Sequence, residues 1–202
     1  MICHHPKETT LAEFAAGTLD EGRSLVVATH VAMCAACRRF MAALEHVGGR
    51  LLEQSEPAAM SADAKVKTLR RLAESDAQRR QPGDALSRYL MGPWRWIGPG
   101  IHRRAVDVPS DNGTRVFLLK AAAGMTMPGH RHVGTELTLI LTGAFAHQGG
   151  RFAAGDIDDA DDDMEHDPVI EPGEECVCLV AMQGHLRLNS LLGRLIEPFV
   201  RL

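Results

Sequence analysis

Three groups of residues in this 202-residue chain have types and spacings that do chemistry. The first is His30-x3-Cys34-x2-Cys37, whose positions i, i+4 and i+7 share one face if a helix runs through them. Thiolate sulfur and imidazole nitrogen are the donors zinc prefers in closed tetrahedral sites, and such a site needs a fourth ligand. The N-terminal run Cys3-His4-His5 is the obvious supply. Two other chemistries compete: inert buried thiols, and a redox-active Cys-x2-Cys pair, which needs a βαβ setting absent here. Zinc is the best match of the three.

The second group is His130-x-His132-x3-Glu136. Two histidines two residues apart project from the same face of a strand, and Glu136 keeps that parity if the turn at Val133-Gly134 does not change it. Charged groups aimed into a core need a partner such as a metal, and imidazole with carboxylate suits Zn, Fe, Mn, Ni or Cu. The third group is Cys176 and Cys178, which alternate with Val177 and so share a face. Packing is the usual role of such a pair, with redox sensing as the alternative. Positions i and i+2 of a strand lie about 6.5 Å apart, so a direct bridge between them would be strained.

These groups need elements to position them. Leu11, Phe14, Ala15 and Leu19, then Leu25, Val26, Val27 and Val31, then Phe40, Met41, Leu44 and Val47 recur at helical spacing, predicting two or three short helices before Gly48-Gly49. After the polar stretch Glu53 to Met60, residues 61–80 form an amphipathic helix with Val66, Leu69 and Leu72 on one stripe, a helix that needs a partner surface. Gln81-Pro82-Gly83 ends it. From Trp94 onward, Gly and Pro punctuate short β-rich runs at 114–121, 135–141, 143–147, 175–182 and 185–189, as in a barrel or sandwich. The expected organisation is therefore α+β and multidomain: an all-α bundle over 1–80, a linker over 81–93 and an all-β domain over 94–202. Trp94 and Trp96 are expected to cover a barrel end, and the acidic run Asp156 to Asp163 to be a solvated turn.

Charge narrows the partner. Residues 1–80 carry eleven Lys/Arg against ten Asp/Glu, and residues 81–202 eleven against sixteen. Neither half is basic, which disfavours direct nucleic-acid binding and leaves a protein or small molecule. The first ten residues lack an apolar segment behind a basic start, and no apolar run reaches the ~20 residues that span a bilayer. A cytoplasmic protein with no membrane contact is expected. Five cysteines, an odd number grouped as Cys3, Cys34/Cys37 and Cys176/Cys178, fit a reducing compartment.

Over residues 3–80 the chain resembles the zinc-binding anti-sigma factor domain, whose signature is an upstream His followed by His-x3-Cys-x2-Cys. The resemblance implies zinc held by His5, His30, Cys34 and Cys37, with His5 matching the upstream position better than His4. Gly124-x5-His130-x-His132-x3-Glu136-x6-Gly143 is similar, position for position, to the first motif of the cupin barrel. His166 stands eleven residues after Gly155, where the second cupin motif has its His, although Asp161, Asp163 and Ile170 replace that motif's Pro, Gly and Asn. The implied cupin ligands are His130, His132, Glu136 and His166, with zinc the first choice of metal. As a whole the chain resembles the ChrR-type anti-sigma factors, zinc anti-sigma domains fused to a C-terminal cupin jelly roll. That resemblance implies no catalysis but sequestration of an extracytoplasmic-function sigma factor, relieved when the cupin senses singlet oxygen or an organic hydroperoxide. The alternative is a cupin metalloenzyme, a dioxygenase or isomerase, carrying a zinc-stabilised docking module; the altered second motif speaks against it.

Overall fold

Four helices precede twelve short strands in a computed structural model that describes residues 1–76, 85–110, 112–160 and 165–188. The helices are α1 (Glu8–Ala16), α2 (Glu21–Met33), α3 (Ala35–Glu53) and α4 (Ala64–Asp76). The first strands are β1 (Arg95–Gly98), β2 (Ile101–Val106), β3 (Arg115–Ala121), β4 (His130–Val133), β5 (Glu136–Thr142) and β6 (Ala144–His147). They are followed by β7 (Gly150–Ala153), β8 (Ile157–Ala160), β9 (Glu165–His166), β10 (Val169–Ile170), β11 (Cys176–Met182) and β12 (His185–Leu188). The last helix expected over 61–80 is α4, and its final expected residues, 77–80, lie outside the described residues, as do most of the linker's first residues, 81–84.

The helix ends are chemically marked. Asp20 accepts the backbone N–H of Arg23 at 3.1 Å and so caps α2, while Gly17, at φ 69°, takes the left-handed turn that closes α1. Cys34 breaks α2 from α3: its backbone is extended, and its sulfur accepts the N–H of Cys37 at 3.5 Å as the cap of α3. The two helices therefore meet at a bend of 114° instead of forming one rod. No single described helix is long and apolar enough to cross a membrane.

The strands form a six-stranded antiparallel sheet in the order β1-β2-β3-β11-β5-β8, accompanied by two three-stranded sheets, β10-β6-β7 and β12-β4-β9. Strand alternation sends the big sheet's side chains to two different cores. One face carries Val116, Leu118, Leu137, Leu139, Leu179 and Ala181 against Leu25, Val26, Val27 and Met41 of the helices. The other carries Phe117, Ile140, Val180 and Met182 into the barrel, against Phe145, Phe152 and Ile170. The helices thus share a hydrophobic core with the sheet. Val26, Val27, Leu139 and Leu179 are completely buried there, worth roughly 1.5–3 kcal/mol each. Gly22 permits the contact, because a Cβ at that position would come within 2.8 Å of Thr114 and Val116.

Two expectations about this half fail. The acidic run is not a solvated turn where it is described: Asp156 and Asp158 are buried, and Ile157–Ala160 is strand β8 on the edge of the large sheet. Composition suggested water, but Asp156, just before the strand, accepts the backbone N–H groups of Cys3 and His4, and Asp158 on β8 faces the barrel cavity. Trp94 and Trp96 do not seal the barrel either; Trp96 is 66% exposed and Trp94 lies under the ammonium of Lys120. Their neighbours Ile97, Gly98 and Pro99 line the cavity instead.

Candidate metal centres

The N-terminal segment, the end of α2 and the start of α3 bring His5, His30, Cys34 and Cys37 together, with one donor atom from each lying within 4.8 Å of all the others. His30 Nε2 is 3.3 Å from Cys37 Sγ, and His5 Nδ1 is 3.4 Å from both Cys34 Sγ and Cys37 Sγ. In a tetrahedral zinc site with ordinary bond lengths, neighbouring N and S donors stand about 3.5 Å apart, so the spacing suits a four-coordinate ion. The expectation that His30, Cys34 and Cys37 lie on one helical face is corrected here. They converge because the chain bends at Cys34, which puts Cys37 in the first turn of α3 and turns its sulfur back toward His30.

The electrostatics of the pocket also suit a cation. His30, Cys34 and Cys37 are buried, and His5 is exposed. Burial lowers the pKa of His30, although the carbonyl of Gly155, which accepts from Nδ1 at 2.9 Å, works the other way. That bond fixes the proton on Nδ1 and leaves Nε2 facing the sulfurs, the usual second support of a metal-binding histidine. Burial and the adjacent Cys34 push the Cys37 thiol up to about 12. A divalent cation reverses that preference by stabilising the thiolate. The other N-terminal candidates do different things: His4 stacks on Phe152 at 4.1 Å, and Cys3 is exposed.

The second constellation lies inside the barrel. Glu136 and His130 line an apolar cavity of about 180 Å³ together with Thr138, Asp158, Cys176 and Cys178. His130 donates from Nδ1 to the carbonyl of Pro128 at 2.8 Å, and Thr138 donates to Glu136 at 2.7 Å. Burial pushes the Glu136 carboxyl up, while His130 and the Thr138 hydroxyl pull it back. The strand register pairs His130 with His166 and puts His132 two residues along β4; the side chains of these two histidines lie outside the described residues. Cys176 and Cys178 share the barrel face as their parity requires, with sulfurs 3.6 Å apart. Their mutual hydrogen bond and burial push the Cys178 thiol well up.

A family model described as the ChrR cupin-like domain matches residues 83–186. The anti-sigma-E factor ChrR of Cereibacter sphaeroides is 40% identical over 216 aligned positions, which cover 100% of this chain and 99% of that protein. The chain belongs to the ChrR family. Among solved structures, ChrR in complex with SigE from Rhodobacter sphaeroides superposes with a TM-score of 0.76 at 37% identity, over 91% of this chain and 100% of that one. An RmlC-like cupin from Ralstonia eutropha is 20% identical over 52% of this chain and 70% of that one, with a TM-score of 0.44.

In this ChrR family member, several residues beside the two constellations escaped sequence reasoning. His147, with its side chain 2% exposed, pairs with Asp158 at 3.0 Å inside the barrel. Gly155, far along the sequence, touches the helical cluster through His30, and Asp156 holds the backbone of Cys3 and His4 next to it. The only signal for Asp158 was alternation along β8; nothing local marks a backbone carbonyl such as that of Gly155.

Proposed function

We propose that this chain is an anti-sigma factor that sequesters an extracytoplasmic-function sigma factor through its helical half, as its relative's name and the SigE complex suggest. The single observation that carries the reading is the end-to-end match to an anti-sigma-E factor, since it spans the helices and the barrel alike. The exposed surface of the helices supports it: Val66, Leu69 and Leu72 on α4 are 68%, 56% and 56% exposed, and Val47, Leu51 and Leu52 on α3 are also uncovered. Large aliphatic side chains in a continuous stripe stay in water only until a partner covers them. Neither half is basic, so the partner is protein and not nucleic acid.

In this reading the functional partition is 1–80 for the grip, 81–93 for the linker and 94–202 for the sensor, in a cytoplasmic setting. Zinc is held by His5, His30, Cys34 and Cys37, where it supplies the folding free energy that a short helical module lacks. A second metal, with zinc as the first choice, is held by His130, His132, Glu136 and His166, where it would supply a Lewis-acidic point beside the cavity. The barrel serves as a sensor and not as a site of turnover: an oxidant such as singlet oxygen or an organic hydroperoxide enters the cavity, alters a ligand or the Cys176/Cys178 pair, and weakens the hold on the sigma factor. Such a response requires two states that differ in their contacts with the partner.

The test is co-expression with the sigma factor encoded beside it, followed by purification and metal analysis. A one-to-one complex that retains zinc in the wild type and is lost in His30→Ala bears the reading out. A wild-type protein that holds its metals and binds no sigma factor contradicts it.

A further inference from the structure

The helical cluster is tied to the barrel by more than packing. The Gly155 carbonyl accepts a hydrogen bond from His30 Nδ1. The Asp156 carboxylate accepts the backbone N–H of Cys3 at 2.6 Å and of His4 at 3.0 Å, and its other oxygen accepts the N–H of Ala153 at 2.9 Å. Ile157 donates its N–H to the carbonyl of His4 at 3.3 Å. Asp159 accepts the N–H of Lys7 at 2.9 Å and the hydroxyl of Thr10 at 2.8 Å. The chain is thus pinned on both sides of His5, and the ring of His30 is pinned as well, by one five-residue stretch of the barrel.

That stretch has a second face. Asp158, between these contacts, points the other way, lines the cavity with Glu136 and pairs with His147. Strand β8 therefore has the cluster's supports on one side and the cavity wall on the other. It is an edge strand of the large sheet, held on one flank by β5, with Thr138 opposite Asp158 and Leu139 opposite Ile157.

We infer that residues 155–159 form the outer shell of the helical metal centre, that Asp156 is its positioning residue, and that β8 carries the state of the barrel cavity to metal retention. The inference rests on the reading that the four-residue cluster holds zinc. Outer-shell partners of metal ligands typically change metal affinity 10–100-fold when removed, because they fix ligand orientation before the ion arrives. Here the effect falls on His5, which is exposed and has no helix around it, so the hydrogen bonds to Asp156 hold the segment that presents it.

The test uses the full-length, zinc-loaded protein and measures zinc transfer to a chromogenic chelator. Asp156→Ala is expected to release zinc 10–100-fold faster than the wild type. Asp156→Asn, which keeps one carbonyl oxygen to accept from Cys3 and His4, is expected to fall between the two. Asp158→Asn, which alters the cavity wall, is expected to shift the release rate by about 5-fold or more. Cobalt replacing zinc gives a coordination-sensitive visible spectrum; Asp156→Ala should change the shape of that spectrum, a change that simple loss of folded protein does not produce. Wild-type release rates and spectra in Asp156→Ala, alongside stripping of metal by His30→Ala, would overturn the assignment of Asp156. A wild-type rate in Asp158→Asn would overturn the link to the cavity. A wild-type protein with no zinc at the cluster, seen before any substitution is made, would instead defeat the underlying reading.

Discussion

The two metal-type constellations of this molecule are built on opposite plans. The helical cluster is compact: three of its four residues are buried, and its nitrogen and sulfur donors approach one another to 3.3–3.4 Å. The barrel constellation puts Glu136 and His130 on the wall of an apolar cavity of about 180 Å³, with two thiols on the same wall. Closed sites with complete protein ligation hold structure together, whereas sites with room beside them admit a small molecule. The difference fits the proposed division in which one region grips and the other responds, and substitutions in each region test it.

The largest effect should follow loss of the closed site. Cys34→Ser or Cys37→Ser should abolish metal retention in the helical half and weaken partner binding by more than about 100-fold, measured by metal analysis and titration of the sigma factor, because structural zinc supplies folding free energy directly. Glu136→Gln, by contrast, should leave partner binding within about 3-fold of the wild type while abolishing release by a hydroperoxide; equal loss of binding in both variants would erase the distinction. The shared core between sheet and helices should be next. Leu179→Ala, at a position with no exposed surface, should cost about 2–5 kcal/mol in chemical denaturation, whereas Trp96→Ala, at an exposed edge, should cost less than about 0.5 kcal/mol.

A smaller effect is expected at the cap of α2. Burial raises the Asp20 carboxyl, but the side chain and backbone of Arg23 outweigh it and hold the pKa below its ordinary value of 3.8. Because the folded-state pKa is the lower one, the cap stabilises the protein fully above the unfolded pKa of about 4 and loses that contribution as pH falls through the folded value. Asp20→Ala should therefore cost about 1 kcal/mol at pH 7 and progressively less below pH ~4, where the wild type and the variant converge. A constant difference down to low pH would show that the cost arises elsewhere.

Much of this arrangement was legible in the sequence because the ligands recur at short, rigid spacings. His30, Cys34 and Cys37 are fixed within eight residues, and the alternation of β11 alone puts Cys176 and Cys178 on one wall. Helical periodicity found the helical stretches, but it stopped before Gly48-Gly49, through which α3 continues to Glu53, and it missed the break at Cys34, since the thiol that caps α3 looks like any other position in an apolar stripe. The run from Asp156 was misread for a related reason. Its composition is that of a solvated turn; the pairing with β5 turns Asp158 and Asp159 to opposite faces, and long-range hydrogen bonds tie Asp156 and Asp159 to the N-terminal segment. Contacts that join residues about 150 positions apart, such as Asp156 with Cys3, leave no local pattern to read.

The most direct test of the division between grip and response follows a fluorescently labelled sigma factor by anisotropy as it is held by the wild type, Cys34→Ser and Glu136→Gln, before and after addition of an organic hydroperoxide. Tight binding by the wild type and Glu136→Gln, none by Cys34→Ser, and release by oxidant from the wild type alone are expected. Release from Glu136→Gln at the wild-type rate, or tight binding by Cys34→Ser, would contradict it.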